Sequence, residues 1–249
     1  GVVGIEARTF PTFHLQALQT RLPQLRVEGA FGLLESVRLL KTPAETELLT
    51  QLATWTSEAI DSAWATAQPG DTERAIAARM QYELLQRGVD EIAFAVFGSG
   101  ERTGRFHGHA TDHPVTDGML ITTDFGGRKD GYYSDLARTA VMGKATPQQR
   151  DLHARLTEIK HRVVRGIQPG MLASEVAREA RRAYADQGLE FRWAIVGHSI
   201  GLGVHESPQI YPWVDEPILP GMVMMIELGY NQYPADSFHI EDLIVVTEQ

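Results

Sequence analysis

The chain has 249 residues, of which 43% are hydrophobic, 22% are charged and none is cysteine, and its formal net charge is -9. This length fits one large domain or one and a half ordinary ones, with enough apolar residues for a sizeable core. The acidic balance argues against a general nucleic-acid or anionic-membrane binder, and the absence of cysteine excludes disulfides and thiolate zinc sites. No apolar run reaches membrane-spanning length and no signal peptide is visible, so we expect a cytoplasmic protein.

The first 41 residues contain apolar patches but no complementary half. We interpret residues 1–36 as the remnant of a preceding N-terminal domain with its connector, and residues 37–249 as the main domain. Because the chain opens on Gly1 without an initiator methionine, we interpret it as a processed product or a fragment of something longer.

Two helix starts of the same type follow, about a hundred residues apart. Thr42 precedes a proline and then Glu45, which supplies a hydroxyl N-cap, a proline in the first turn and the acidic residue of a capping box. Thr146 begins a similar segment, with proline next and Gln149 three residues on. The repetition predicts two long helices that begin in the same way.

The ends of these helices are also repeated. The sequence Gln-Pro-Gly occurs at 68–70 and again at 168–170, and such a run commonly ends a helix. A second amphipathic helix follows each stop. These second helices are expected to end at Gly88 and Gly188, where glycine permits a left-handed C-cap. Each match is weak by itself, but the shared order is much harder to attribute to chance.

Two apolar strands, each ending on a carboxylate, are the clearest duplicated feature. Residues 118–126 read Gly-Met-Leu-Ile-Thr-Thr-Asp-Phe-Gly, and residues 221–229 read Gly-Met-Val-Met-Met-Ile-Glu-Leu-Gly. Both have the length and apolar character of a buried strand, yet a carboxylate is costly in a core unless something compensates it. Together with the helices, the strands define two α+β halves at roughly 42–143 and 146–249. If the halves face each other, we expect the duplicated strands to lie side by side.

Each strand is followed by a connection that returns a second acid towards the first. A glycine-bearing turn after Asp124 leads to Asp135 and predicts a β-hairpin, and a longer connection leads from Glu227 back to Glu241. A single acid at a strand end is usually a turn former, but four facing carboxylates would repel one another and take up protons. Divalent cations remove that difficulty, and bridging carboxylates suit a paired site for manganese, cobalt, iron or zinc.

Histidines offer nitrogen ligands for the same site. His198 and His205 lie seven residues apart in a glycine-rich segment, and His107 precedes Asp124 by seventeen residues. On a continuous strand, a spacing of seven places two side chains on opposite faces. His198 and His205 can therefore serve one site only if the glycines bend the chain.

This arrangement of motifs resembles the pita-bread metallopeptidases, which include methionine aminopeptidase, prolidase and aminopeptidase P and have creatinase as a relative. The resemblance spans about residues 37–249, and its opening segment, residues 39–45, is closer to the prolidase and aminopeptidase P branch. It implies an α+β pita-bread (creatinase/aminopeptidase) fold, with two pseudo-symmetric helix-helix-strand halves around a dinuclear metal site. The metal ligands that the resemblance implies are Asp124, Asp135, His198, Glu227 and Glu241.

The resemblance also implies how these ligands divide between two divalent ions, which could be manganese, cobalt, zinc or iron. Asp135 and Glu241 would bridge the pair. His198 and Glu227 would complete one ion, and Asp124 would complete the other.

The catalytic residues implied in the same way are His107, His205 and Glu227. His205 matches the family's histidine near the scissile bond, and His107 matches its counterpart across the pocket. Glu227 is the candidate to take a proton from a hydroxide-forming water between the metals and pass it to the leaving nitrogen. The implied activity removes the N-terminal residue of Xaa-Pro peptides or splits Xaa-Pro dipeptides. The implied partners are a short peptide or small-molecule substrate and a second copy of the chain in a homodimer.

Three positions depart from the family's pattern. Leu228 stands in place of the proline in the family's common Glu-Pro-Gly, Ala137 replaces a threonine, and His239 replaces an arginine two residues before the last ligand. Losing the arginine weakens the positive charge beside the metals, which leaves open a metal-dependent hydrolase or lyase of a small non-peptide substrate. A third alternative is a non-catalytic pita-bread binding module. It is disfavoured because inactive relatives lose ligands and this chain keeps all five.

Overall fold

The computed structural model describes residues 1–7, 9–105, 107–231 and 236–248. They fall into two compact units, Gly1–Leu40 and Lys41–Gln249. The first unit contains two parallel strands and two helices, and none of its described residues is buried. Its elements are β1 (Val2–Ile5), α1 (Thr12–Arg21), β2 (Arg26–Gly29) and α2 (Phe31–Arg38).

The four long helices of the second unit follow the repeated sequence pattern. Helices α3 (Pro43–Ala65) and α5 (Pro147–Gly166) both begin with a capping box, in which the cap threonine and the N3 side chain bond each other's backbone amides. Helices α4 (Glu73–Gln86) and α6 (Ala173–Asp186) follow, and a glycine with positive φ stands two residues after each. None of the helices in the described ranges has both the length and the apolar character needed to cross a bilayer.

Each half of the second unit contributes one sheet of antiparallel pairs. In the first sheet β4 is central and pairs with β3, β5 and β6, and in the second sheet β9 lies between β7 and β10, with β8 beyond β7. The strands of the first sheet are β3 (Glu91–Ser99), β4 (Leu120–Lys129), β5 (Tyr132–Tyr133) and β6 (Leu136–Val141). Those of the second are β7 (Gly197–Ser199), β8 (Glu206–Gln209), β9 (Val223–Asn231) and β10 (Ser237–Val245).

The two halves meet through the second strand of each hairpin, β6 and β10. The hydroxyl of Thr139 donates to the carbonyl oxygen of His239 at 2.8 Å and accepts from its amide at 3.0 Å. The expectation that the duplicated strands β4 and β9 lie side by side is therefore wrong in this detail. Strand β4 pairs with β3 and β6, and β9 pairs with β7 and β10, so neither has a free edge to offer the other half.

Alternation along β4 separates the core from the site. Phe125 is fully buried and belongs to the apolar cluster that α3 and α4 form with this sheet, which also includes Leu84. Because successive strand residues point to opposite faces, the side chain of Asp124 leaves β4 on the face away from that cluster. The buried apolar face thus sets which way the carboxylate points.

Gly197 on β7 lies too close to β9 to carry a side chain. A Cβ there would stand 2.0 Å from the backbone oxygen of Met225, which the paired sheet holds in place. We expect Gly197→Ala to lower the free energy of unfolding by about 1–3 kcal/mol, because backbone must shift to relieve the overlap. Gly166→Ala is the control, since a Cβ there meets no described atom within 4 Å apart from its chain neighbours and the backbone of its own helix. Urea denaturation followed by circular dichroism compares the two, and equal midpoints would contradict the steric account.

Candidate metal centre and active site

Strand pairing gathers the four predicted carboxylates and two histidines into one cluster. Asp135 immediately precedes β6, whose Ala137 pairs with Asp124, and Glu227 stands directly opposite Glu241 in the second sheet. Donor atoms of these residues form three overlapping groups, within each of which all atoms lie within 4.8 Å of one another. The groups are Asp135, His198 and His205; His198, Glu227 and Glu241; and Asp124, Asp135 and Glu241.

Asp135 is positioned by its neighbour Ser134. The buried hydroxyl of Ser134 shares a 2.7 Å hydrogen bond with Thr56 on α3 and accepts a 3.0 Å hydrogen bond from the amide of Gly127. The backbone here approaches closely, because a Cβ on Gly126 would stand 2.0 Å from the Ser134 carbonyl oxygen. This anchoring holds Asp135 against β4 rather than in solvent.

His198 presents one ring nitrogen to the carboxylates. Its Nδ1 lies 3.1 Å from the backbone oxygen of Ser199, and a proton shared with that oxygen assigns the lone pair to Nε2. Nε2 lies 3.5 Å from Glu241 Oε1 and 3.7 Å from Asp135 Oδ2. Burial lowers the pKa of His198, so the ring is neutral at pH 7.

Three buried oxygen and nitrogen atoms of this cluster have no hydrogen-bond partner within the described part of the chain. They are Asp124 Oδ1, His198 Nε2 and Glu241 Oε1. Buried polar atoms normally have a partner, and here the unsatisfied atoms are lone pairs that converge on one space. Carboxylate oxygens with an imidazole nitrogen are the ligands of divalent transition metals. The residues present therefore fit divalent metal ions.

The raised pKa values of two carboxyls in the cluster also fit a site for positively charged metal ions. Burial raises the pKa of Asp135 well above its ordinary range, and the charges of Glu241 and Asp124 add to the effect. Burial and the charges of Glu227 and Asp124 likewise raise the pKa of Glu241. Without a compensating positive charge, these carboxyls hold protons.

Glu227 differs because its neighbour is a histidine rather than another carboxylate. Its Oε1 lies 3.0 Å from Nε2 of His239, and the Trp193 ring lies 4.6 Å from the His239 ring. Burial alone would raise the pKa of Glu227, but the hydrogen bond and charge of His239 outweigh it and lower that pKa. Burial opposes protonation of His239, yet the contact with Glu227 raises its pKa. His239 thus supplies Glu227 with a hydrogen-bond partner in the position where the family pattern has arginine.

The histidines proposed for catalysis lie around the same cluster. The ring centroids of His205 and His198 are 4.2 Å apart. They can meet because β7 ends at Ser199 and the glycine-bearing segment turns before β8. Burial lowers the pKa of His205, and the nearby His198 contributes. His107 adopts a φ of 51° and lines a cavity together with Asp124 and Glu227.

Sequence reasoning missed a buried ion pair that supports the segment carrying His205. Nζ of Lys41 lies 3.0 Å from Glu206 Oε2 and 3.3 Å from Ser199 Oγ, and the Lys41 and Glu206 side chains are only 2% and 3% exposed. Glu206 also accepts a hydrogen bond from the amide of Gly203 at 3.0 Å. The only available signals were the position of Lys41 next to the helix cap and of Glu206 next to His205.

Two matched helix-helix-sheet halves around an acidic, histidine-bearing centre define the pita-bread class of metallopeptidases. The model of metallopeptidase family M24 matches residues 47–248. The chain belongs to this metallopeptidase family.

Individual relatives agree with this assignment. The chain is 30% identical over 217 residues to an Xaa-Pro dipeptidase of Pyrococcus furiosus, covering 86% of this chain and 62% of that protein. It is 31% identical over 246 residues to a probable dipeptidase PepE of Mycobacterium bovis, covering 96% of this chain and 64% of the relative. The chain thus spans less than two thirds of the length of these relatives.

Solved structures show the same architecture. An X-Pro aminopeptidase from Thermotoga maritima superimposes with a TM-score of 0.94 at 26% identity, covering 100% of this chain and 70% of that one. A prolidase from Pyrococcus furiosus superimposes with a TM-score of 0.92 at 28% identity, covering 99% and 73%.

Proposed function

We propose that the chain contains the catalytic domain of a metal-dependent hydrolase that removes the N-terminal residue of Xaa-Pro peptides or splits Xaa-Pro dipeptides. The observation that carries the proposal is the set of buried lone pairs on Asp124, His198 and Glu241 that converge without a partner in the described residues. The printed names of the relatives, Xaa-Pro dipeptidase, prolidase and X-Pro aminopeptidase, support the substrate class. The resemblance also implies a homodimer, which sedimentation equilibrium would test.

The proposed ligands are those that the resemblance implied. His198, Glu227 and Glu241 form one group of donors, Asp124, Asp135 and Glu241 form another, and manganese, cobalt, zinc or iron suits both. When bound, divalent ions polarise a scissile carbonyl and lower the pKa of a coordinated water. Glu241 belongs to both groups and Asp135 reaches His198, which supports a bridging role for these two residues.

The proposed catalytic steps belong to Glu227 and the histidines. The lowered pKa keeps Glu227 ionised at neutral pH, so it can accept the proton of the attacking water and deliver it to the leaving nitrogen. The His205 imidazole donates a hydrogen bond to the oxygen on which negative charge develops. His107, on the cavity wall, orients the substrate.

The first test is the effect of Glu227→Gln on hydrolysis of an Xaa-Pro dipeptide by metal-loaded protein. We expect kcat to fall by about 10²–10⁴, because general acid-base catalysis contributes a factor of that size. Glu101→Gln is the matched control, since Glu101 is exposed and the same charge is removed. Hydrolysis by the Glu227→Gln protein at the wild-type rate would refute the assignment.

A second candidate is a hydrolase or lyase of a small non-peptide substrate. The observation that favours it is that His239, which replaces the arginine, is bound to Glu227 at 3.0 Å. A histidine that is hydrogen-bonded to Glu227 is less available than a free arginine to an anionic group of a substrate. Assaying wild-type protein with Xaa-Pro dipeptides against a panel of small amides separates the two candidates, because only one class should be turned over well.

A further inference from the structure

Glu73, at the start of α4, is a fully buried carboxylate that takes no part in the proposed chemistry. Its Oε1 accepts hydrogen bonds from the amide and hydroxyl of Ser99, both at 2.9 Å, and its Oε2 accepts from the amide and hydroxyl of Thr111 at 3.0 and 2.8 Å. Nε of Arg102 lies 3.0 Å from both oxygens. Burial would raise the pKa of Glu73, but these hydrogen bonds outweigh it and lower the pKa.

The partners of Glu73 bracket one loop. Ser99 ends β3, and Thr111 follows a segment of which residues 100–105 and 107–111 are described. A single carboxylate thus joins the two ends of the segment 100–111. Of this segment, Arg102 and His107 line the same cavity as Asp124. The hydroxyl of Thr103, also on this wall, accepts a 2.9 Å hydrogen bond from the amide of Ser237. The carboxylate therefore closes the loop, while the loop forms one side of the cavity.

The second half of the fold shows that its architecture does not require an acid at this position. Glu73 and Ala173 are equivalent: the Glu73 amide donates to the His113 carbonyl at 3.0 Å, and the Ala173 amide donates to the Glu216 carbonyl at 2.9 Å. The preceding residues also match, since Thr72 bridges to Pro114 and Leu172 to Pro217. Ala173 is as buried as Glu73, at 0% exposure.

A buried carboxylate is costly where a small apolar residue could pack instead. Glu73 nevertheless stands in the half whose segment after β3 supplies Arg102 and His107 to the cavity, where the other half has Ala173. We propose that Glu73 is a positioning residue, which closes the loop 100–111 and thereby sets the placement of His107 against the substrate. This inference rests on the proposed peptidase function for its kinetic consequence but not for its structural one. Glu73 touches neither the proposed metal ligands nor the cavity, so it acts through the loop.

The test compares Glu73→Gln with wild type in metal-loaded protein. Each carboxylate oxygen of Glu73 accepts from one backbone amide, of Ser99 or of Thr111, and a backbone amide can only donate. The glutamine side chain replaces one of these oxygens by a donor, so one end of the loop must lose its bond from the backbone amide. We expect amide hydrogen exchange in 100–111 to accelerate by about tenfold or more, while exchange in β4 and β10 and the metal content stay unchanged. We also expect KM for an Xaa-Pro dipeptide to rise about tenfold, with kcat within about twofold of wild type, because substrate placement is lost and the chemistry is kept.

Two further variants sharpen the result. Glu101→Gln changes the same charge at an exposed position in the same loop and should leave exchange and KM at wild-type values. Thr111→Val removes one donor to Glu73 with little change of shape, and it should give a smaller change in the same direction, including when Glu73→Gln fails to fold.

The outcomes are distinguishable from a failure of the proposed function. If the wild type hydrolyses no Xaa-Pro peptide, the peptidase proposal fails, and hydrogen exchange still tests the loop. Unchanged exchange in 100–111, or an equal acceleration throughout α4 and both sheets, would overturn the positioning role. So would a fall in kcat with KM unchanged.

Discussion

Glu241→Gln is expected to raise the free energy of unfolding of the metal-free protein by about 1–3 kcal/mol at pH 8. The same change is expected to weaken divalent metal binding and to lower hydrolytic activity by at least about 10³, since a catalytic metal contributes several kcal/mol. Stability and function should thus move in opposite directions. The reason is that the Glu241 side chain, 2% exposed, is placed for a cation and not for the metal-free protein.

The pH dependence of this gain follows from the pKa of Glu241. Burial and the charges of Glu227 and Asp124 raise the folded-state pKa well above the ordinary 4.5. A carboxyl with a raised pKa binds more protons in the folded than in the unfolded protein. The contribution of the Glu241 carboxyl to the free energy of unfolding is therefore fully present below its unfolded-state pKa. It is lost as the pH rises through its folded-state pKa. Glutamine does not ionise, so the gain over wild type should be largest at pH 8 and vanish near about pH 4.

Urea unfolding in the presence of a chelator at pH 4 and pH 8 measures this difference. With manganese at about a hundred times its Kd, the wild type should gain about 2.7 kcal/mol, because the ion binds only the folded state, and the variant should gain less. Glu190→Gln is the control, since the Glu190 side chain is 69% exposed. A Glu241→Gln protein that is less stable than wild type at pH 8 without metal would contradict the account.

Lys41→Met should lower the free energy of unfolding by about 3–5 kcal/mol, because it leaves Glu206 as a buried charge without its partner. The two side chains are almost completely inaccessible and 3.0 Å apart. Replacing both, as Lys41→Met with Glu206→Leu, should recover much of the loss, since no charge is then buried alone. Each charge of the pair is thus expected to stabilise the protein mainly by neutralising the other.

Lys129→Met provides the comparison for this prediction. Lys129 pairs with Asp90 at 2.9 Å, but the two side chains are 31% and 52% exposed. Water screens such a pair, so the free energy of unfolding should fall much less than in Lys41→Met. Thermal and urea unfolding of Lys41→Met, of the double variant and of Lys129→Met measure these differences against wild type. An equal fall in the free energy of unfolding for Lys41→Met and Lys129→Met would contradict the claim that an unpaired Glu206 is costly because it is buried.

The helices and the duplication were predictable because their signals are local. A capping box is defined by four consecutive residues: the cap threonine, a proline and, at N3, an acceptor side chain. Both predicted capping boxes are present, at Thr42 and Thr146. Strand periodicity placed Asp124 and Glu227 at equivalent positions in their hairpins, and pairing puts Glu241 opposite Glu227 as the return of the chain suggested. A one-residue slip would turn each acid into the apolar core, which is why the pattern is informative.

Interactions between distant segments were not predictable in this way. Lys41 and Glu206 are 165 residues apart, and the sequence around each of them does not indicate which residue it will contact. Glu73 could have been noticed by aligning the two Gln-Pro-Gly stops, which sets it against Ala173, but its hydrogen-bond partners follow only from the loop's path. The role of His239 as a partner of Glu227 likewise depends on the two strands lying side by side.

The amino-acid sequence by itself determined the two repeated halves, their helix ends and the spacing of the acids and histidines, because caps, turns and strand alternation act over a few residues. Tertiary structure alone decided which strands join the halves, which buried lone pairs converge and which charges compensate one another. These depend on the edges left free by strand pairing and on the low polarity of the interior, where an unsatisfied donor or charge is costly. Such energies are set by distances between segments that the order of residues along the chain does not contain.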